Sequence, residues 1–286
     1  MSLAALVLVA CAAGLHAGWN ALAKRGGDPI VFLWCATLAS TVAVTPFGIW
    51  QLAQDGWAPA AVPFILATIA IHTLYFYTLG QAYASAAYSL VYPVARGLGV
   101  ALVPLLALLV FDERLSPIGT VGVALVVAGI ATLHVLPSGT AGAPPVRFGH
   151  GLLWPVLTAF TIAGYSLVDK AGVAHLHPVP YIALMFLGMN LLLLPVIMAD
   201  STALRREWAA NWRTILIASV LTVTAYLLVL FAFRLSKAGY VVAAREVSIV
   251  LSALIGSLWL KEGRLGPRLA GAVVVLAGVA CVALAR

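Results

Sequence analysis

The chain has 286 residues, 63% of them hydrophobic and 9% charged, with a formal net charge of +7. A soluble domain carries about a quarter charged residues, so this chain has too few charges to cover a soluble surface and reads as an integral membrane protein. Its mean hydropathy of +1.08 agrees. The basic residues stand singly or in pairs between apolar runs, as at Lys24-Arg25 and Arg205-Arg206, where they mark membrane edges. No basic run with interleaved aromatics is present, which excludes nucleic acid as a partner and leaves membrane lipid.

A spanning helix needs about 20 mostly apolar residues. Ten such runs follow in chain order: 3–23, 30–52, 61–81, 86–111, 116–136, 149–169, 180–199, 213–235, 239–260 and 267–285. They are too long and too uniformly apolar for barrel strands, so the predicted architecture is an all-α integral membrane bundle. In the first run, Leu8 to Cys11 resembles a lipoprotein cleavage box. Only Met1-Ser2 precede that run, with no basic region, so the run is read as a spanning helix. The third and fourth runs are separated only by Ala82–Ser85, which predicts a tight turn. Cys11, Cys35 and Cys281 each sit inside an apolar run, so neither a disulfide framework nor a metal site is expected.

The least membrane-like stretch, Leu136 to His150, is rich in Pro, Gly, Ser and Thr and reads as a linker at mid-chain. On either side the sequence repeats. Ala17–Lys24 (AGWNALAK) aligns with Ala163–Lys170 (AGYSLVDK), Ala95-Arg96 with Ala244-Arg245, and Glu113 with Glu262, in the same order and at a nearly constant offset. The predicted units are 1–136, a linker over 137–148, and 149–286, with five helices in each half. An odd number of spans per half obliges the second half to enter from the opposite face. The repeats are therefore inverted, an arrangement found in secondary transporters with a substrate site near midplane.

Ionisable residues inside apolar runs are costly and are the first candidates for function. Arg96 lies roughly 15 Å into its run and Arg245 roughly 9 Å into its own. Tyr92 precedes Arg96 by one turn, and Ser248 and Ser252 share the face of Arg245. Glu246 is turned by about 100° from Arg245, toward a neighbouring helix, and pairing of Arg96 with Glu246 is the structural alternative to a cavity role. His16, Trp19 and Asn20 form one stripe on the first run. His72, Tyr75 and Phe76 form another on the third, Tyr165 and Ser166 stand on the sixth, and Thr222 and Tyr226 on the eighth. Histidine titrates near neutrality, so His16, His72 and Glu246 are the proton-coupling candidates; for both histidines, a helix-packing role remains open. Tyr181, Trp208 and Trp212 read as interfacial belt residues. Glu113 and Glu262 read as helix-end anchors, and Gly119, Gly122 and Gly271 as close-packing positions.

The stretches YPVARG and FDERLSPIGTVGVALVVAGI between Tyr92 and Ile130, AAREVSIVLSALIGSLWLKEGRL (Ala243–Leu265), and HAGWNALAK (His16–Lys24) resemble the EamA family of the drug/metabolite transporter superfamily. The resemblance covers essentially the whole chain. It implies ten transmembrane helices in two inverted five-helix repeats, export of a small metabolite, and an inner (plasma) membrane location. It also implies cytoplasmic termini, although the loop Lys and Arg residues lean the other way. Small cation exporters in that superfamily use a membrane glutamate in the first helix; here that region holds His16 and Asn20. Two core arginines favour a carboxylate, phosphate or phosphonate, which match the planar donor fork of arginine.

The expected function is thus a secondary transporter of an amino-acid-like or phosphonate-like metabolite. Arg96 and Arg245 would hold the anion, and Tyr92, Trp19, Asn20, Tyr75, Tyr165, Tyr226 and Ser248 would line the site. An uncoupled facilitator or drug exporter is the alternative within transport. An intramembrane enzyme or a non-transporting assembly subunit is the alternative outside it. No HExxH, paired aspartates or Gly-x-Ser-x-Gly is present, so no enzyme is expected. No cofactor or metal is expected either, and the protein is expected as a monomer or homodimer.

Overall fold

Every described element of this computed structural model is helical. It describes residues 1–23, 27–85, 88–135, 152–251 and 265–285, without the side chains of 29, 80, 83–85, 88–93, 133–135 and 265–269. Lys24, Arg25, Ser252, Glu262 and the expected 137–148 linker lie outside the described residues. The helices are α1 (Leu3–Ala23), α2 (Pro29–Asp55), α3 (Val62–Ser85), α4 (Tyr88–Phe111), α5 (Pro117–Val135), α6 (Leu153–His175), α7 (Pro178–Met198), α8 (Ser201–Leu235), α9 (Ala238–Arg245) and α10 (Leu265–Leu284), with a 3₁₀ turn at Pro59–Ala61. Among the described residues, six helices are long and apolar enough to cross a membrane: α1, α2, α3, α4, α7 and α8. Large apolar side chains such as Leu109, Val42 and Phe47 point outward, as lipid demands of a bundle surface.

Helix boundaries follow local chemistry. Asp28 accepts from the Ile30 and Val31 amides (2.9 and 3.1 Å) and precedes Pro29, which starts α2 without needing a donor. Asp200 caps α8 in the same way through Thr202 and Ala203. His177 Nδ1 accepts from the Val179 amide at 3.3 Å, ahead of Pro178. Two sequence expectations are corrected. The run over 213–235 is part of a 35-residue helix that starts at Ser201, because the Asp200 cap nucleates it well before the apolar stretch. The run over 239–260 is not continuous: α9 ends at Arg245, Glu246 forms a turn, and helix resumes over 247–251.

In the packing, α1 lies on α8, α3 on α6, α2 on α7, α4 on α6, and α5 on α10. In the α5–α10 pair the two backbones approach closely. A Cβ built on Gly122 would stand 2.7 Å from the Gly278 carbonyl oxygen and 2.9 Å from the Val282 nitrogen; one on Gly129 would stand 3.0 Å from the Gly271 carbonyl oxygen. Small residues here let two backbones touch, and dispersion replaces the hydrophobic effect that lipid cannot supply. The Met1 ammonium donates to the Ala285 carbonyl, so both described ends lie at the same end of the bundle.

Two carboxylates staple the ends of the helices. Glu207, 4% exposed, accepts from the Gly27 and Asp28 amides and from Asn211, clasping the start of α2 to α8. At the other end, α4 closes with Asp112 at φ 50° and the Glu113 amide bonded back to Ala107. Glu113 then pairs with Lys170 of α6 at 2.8 Å and accepts from the Ala238 amide, capping α9 at 2.8 Å.

Two expectations follow. Gly122→Ala should lower the detergent melting temperature, at a cost of about 1–3 kcal/mol from overpacking, whereas Gly14→Ala, with nothing within 4 Å, should leave it unchanged or raise it. The second concerns pH. Burial pushes the His177 imidazole below its usual 6.5; Asp55 opposes this and Arg234 adds to it. The fold therefore favours neutral His177, whose contribution is full above pH 6.5 and is lost as pH falls below that value. His177→Asn, which keeps a capping acceptor, should flatten that fall in a melting series across mildly acidic pH.

Candidate substrate site

Arg96 on α4 and Arg245 at the end of α9 are each 8% exposed. Glu246 is 2% exposed and meets Arg96, with Nη2 to Oε1 at 3.0 Å. The break in the predicted ninth helix falls between its two adjacent charges, Arg245 at the end of α9 and Glu246 in the turn that follows. The Glu246 amide turns back to the Ala243 and Ala244 carbonyls, with φ −69° and ψ −5°. The carboxylate is thereby committed to α4 while Arg245 goes elsewhere. Adjacent opposite charges in a low dielectric would otherwise neutralise each other and leave Arg96 uncompensated.

Arg245 lies with its guanidinium carbon 5.9 Å from the centre of the Tyr226 ring on α8. Among the described residues it makes no ion pair and no hydrogen bond. His16 on α1 stands within electrostatic reach of both arginines. Trp19 donates to His16 Nδ1 at 3.2 Å, and Asn20 donates to the His16 carbonyl at 2.8 Å. Trp19 thus holds the imidazole, while Asn20 spends a donor on the backbone of its own helix. Ser248 is buried just past the break. The side chain of Tyr92 lies outside the described residues.

An aromatic wall continues from Tyr226. His72 stacks on Tyr165 at 4.3 Å and meets Tyr226 edge-on at 5.6 Å, while Tyr75 meets Tyr165 edge-on at 5.7 Å. His72 Nε2 is 3.0 Å from the Tyr226 hydroxyl, and Nδ1 is 3.0 Å from Thr68 Oγ1.

This wall ends on a residue that the sequence reading passed over. Asp169 of α6 is fully buried. Its Oδ1 accepts from Thr68 Oγ1 at 2.5 Å and from the Tyr181 hydroxyl at 2.9 Å, and its Oδ2 accepts from the Tyr226 hydroxyl. The signal was partial: an acid one turn after Tyr165, on the last position of the expected run 149–169, placed in the helix interior only because α6 runs on to His175. It was hidden in AGYSLVDK because Lys170 carries the match to the first half. Lys170 itself leaves the site for Glu113. Tyr181 is a correction. It is not a belt residue but a fully buried one, drawn inward by Asp169 and packed against Gly172. Trp208 and Trp212 are 45% and 44% exposed near the start of α8, where belt residues stand.

Beside the site, α2 and α7 are tied by polar groups. Trp34 donates to the Asn190 carbonyl, Thr37 to Asn190 Oδ1, and Asn190 to Thr41. A separate cavity of about 190 Å³ opens at the end of the bundle, bordered by Asp55, Trp57, His175, His177 and Arg234. Among the described residues no group of three or more His, Cys, Asp or Glu side chains could hold a metal ion.

Residues 149–284 match the EamA-like transporter family, and residues 30–126 match the Small Multidrug Resistance protein family. The second half of the chain is thus similar to EamA-like transporters and most of the first half to small multidrug resistance proteins. A solved crystal structure of a protein shares the fold, with a TM-score of 0.75 at 18% identity, over 99% of this chain and 98% of its own. No curated protein matches the chain. Together with the apolar helices, these matches indicate a multi-pass membrane protein of a transporter kind.

Removing one partner of the central ion pair should be costly. Arg96→Met or Glu246→Leu alone should each destabilise the protein by about 3–5 kcal/mol, whereas Arg96→Met with Glu246→Leu should recover most of that loss. A double-mutant cycle of melting temperatures in detergent tests this, and additive losses would contradict the pairing.

Proposed function

We propose that this protein is a secondary transporter, working as an exporter in the inner (plasma) membrane, for a small organic metabolite with an anionic group, amino-acid-like or phosphonate-like. The observation that carries this reading is Arg245: nine-tenths buried, with an aromatic ring against it and no carboxylate or hydrogen bond among the described residues. A buried guanidinium without a counter-ion is costly, and a substrate oxyanion supplies the missing partner through two parallel hydrogen bonds. Arg96 is compensated by Glu246 and serves better as a latch between α4 and α9 than as a free anion site. His16, Trp19, Asn20 and Ser248 complete the site on one side. Tyr75, Tyr165 and Tyr226 shape the other, with Tyr92 assigned to the same α4 face by helical spacing.

Alternating access between two inverted units, 1–136 and 149–286, fits the packing. Exchanging the first five helices for the last five turns the α1–α8 contact into α6–α3, α4–α6 into α9–α1, and α2–α8 into α7–α3. Each of those contacts is present, and α2–α7 and α5–α10 map onto themselves. This exchange supports a twofold relation between the halves, with the site at their junction.

The match to small multidrug resistance proteins favours one rival, an exporter of cationic drugs. Thermal shifts of the purified protein separate the two. Methylphosphonate and L-phenylalanine should stabilise the wild type, and tetraphenylphosphonium should not. Arg245→Ala should weaken probe binding by about 2 kcal/mol or more, and Arg245→Lys should restore only part of it. Stabilisation by the organic cation alone would overturn the anion reading.

A further inference from the structure

The buried cluster around Asp169 contains more acceptors than its own hydroxyl protons can serve. Thr68, Tyr181 and Tyr226 each have one O–H, and all three are directed at the Asp169 carboxylate. That leaves His72 with Nε2 facing the Tyr226 oxygen at 3.0 Å. Its Nδ1 faces two oxygens of Thr68, the hydroxyl at 3.0 Å and the carbonyl at 3.1 Å. With Asp169 ionised and His72 neutral, one contact must set acceptor against acceptor, because a neutral imidazole has a single N–H. One additional proton satisfies every contact, and it does so in two ways.

In the first arrangement His72 is doubly protonated, donating from Nδ1 to the Thr68 carbonyl and from Nε2 to the Tyr226 oxygen, while Tyr226 donates to Asp169. In the second the proton is on Asp169 Oδ2, which donates to Tyr226; Tyr226 donates to His72 Nε2, and only Nδ1 keeps its hydrogen. The two differ by a concerted shift of two protons through the Tyr226 hydroxyl. The Oδ2–H and Tyr226 O–H bonds form or break together with Nε2–H, and the proton count is the same.

We propose that Asp169, Tyr226 and His72 form a relay that carries one exchangeable proton and couples it to the anion held by Arg245. This rests on the function proposed above. The groups that face the relay are few. Arg245 of α9 lies against the Tyr226 ring and acts on His72, and Tyr165 stacks on His72. Tyr181 of α7 binds Asp169, while Arg96 of α4 is held by Glu246. Without its extra proton the relay carries one net negative charge, which Arg245 offsets across Tyr226. An anion bound at Arg245 removes that offset, so the site then holds the proton more firmly. Proton and anion therefore bind together and travel in the same direction, and export would be driven by the substrate's own gradient with a proton accompanying it. The relay stands roughly 9 Å inside the α6 end that borders the surface cavity, at 1.5 Å per residue, which gives protons a short approach from that face.

The test is infrared difference spectroscopy of the detergent-purified protein during a pH change, read at the carboxyl and imidazole bands. In the wild type both bands should change together as a single one-proton transition. Asp169→Asn should abolish that transition. Tyr226→Phe, which keeps the acid and the imidazole but removes the bridge, should split it into two independent changes and remains informative if Asp169→Asn fails to fold. Arg245→Ala, standing in for a neutralised arginine, should raise the protonated fraction of the relay at one mildly acidic pH. Bands that change independently in the wild type, or an unchanged protonated fraction in Arg245→Ala, would overturn the relay. No anion-induced thermal stabilisation of a protein with an intact coupled transition would instead overturn the substrate reading alone.

Discussion

The organising constraint of this molecule is the cost of a charge where water is absent. Arg96, Arg245, Glu246 and Asp169 are all nine-tenths buried or more, and each one's surroundings can be understood from how that cost is offset. Arg96 and Glu246 compensate each other directly. Asp169 is held by three hydroxyl donors, which stabilise a carboxylate without adding a full counter-charge. Among the described residues, Arg245 has only the face of an aromatic ring, which offsets far less than a carboxylate does. The imbalance is local to the middle of the bundle, where a transported molecule would have to pass.

The rest of the fold holds those four groups at fixed positions. Glu113 gathers the end of α4, the end of α6 and the start of α9 into one cluster, so the helices carrying Arg96, Asp169 and Arg245 share an anchor. The α5–α10 pair packs through glycines. One polar ladder ties α2 to α7, and Ser40 of α2 donates to the Ser219 carbonyl and hydroxyl of α8. Polar ties of this kind, each modest, replace the hydrophobic driving force that lipid removes.

Much of this was legible in the sequence. Apolar run length located eight of the ten described helices, because a bilayer sets a minimum length and punctuates it with polar turns. The run that became α8 was cut short at its start, and the run that holds α9 missed a break. The first turns of α8 carry Arg205, Arg206, Glu207, Asn211 and Arg213, a polar stretch that hydropathy assigns to a loop although the Asp200 cap makes it helix. The break at Glu246 was equally invisible, since hydropathy does not register a turn that keeps the chain apolar. Arg96, Arg245 and Glu246 stood out because a charge in an apolar run is rare. Asp169 stands at the end of the expected run 149–169, beside Lys170, where an acid looks like a helix end; α6 runs on to His175 and makes it interior. Tyr181 was misread for a related reason: a tyrosine near a helix start resembles a belt residue until its buried partner is known.

The length of α8 has a consequence of its own. At 35 residues it runs roughly 52 Å, well beyond the roughly 30 Å of hydrocarbon in a bilayer. One end grips the start of α2 through Glu207, and Tyr226, farther along, touches both Asp169 and Arg245. It is a single uninterrupted rod from the headgroup layer to the middle of the molecule. A change in membrane thickness shifts the depth at which Arg205, Arg206 and Trp208 are comfortable, and a rod of this kind transmits that shift as tilt to Tyr226.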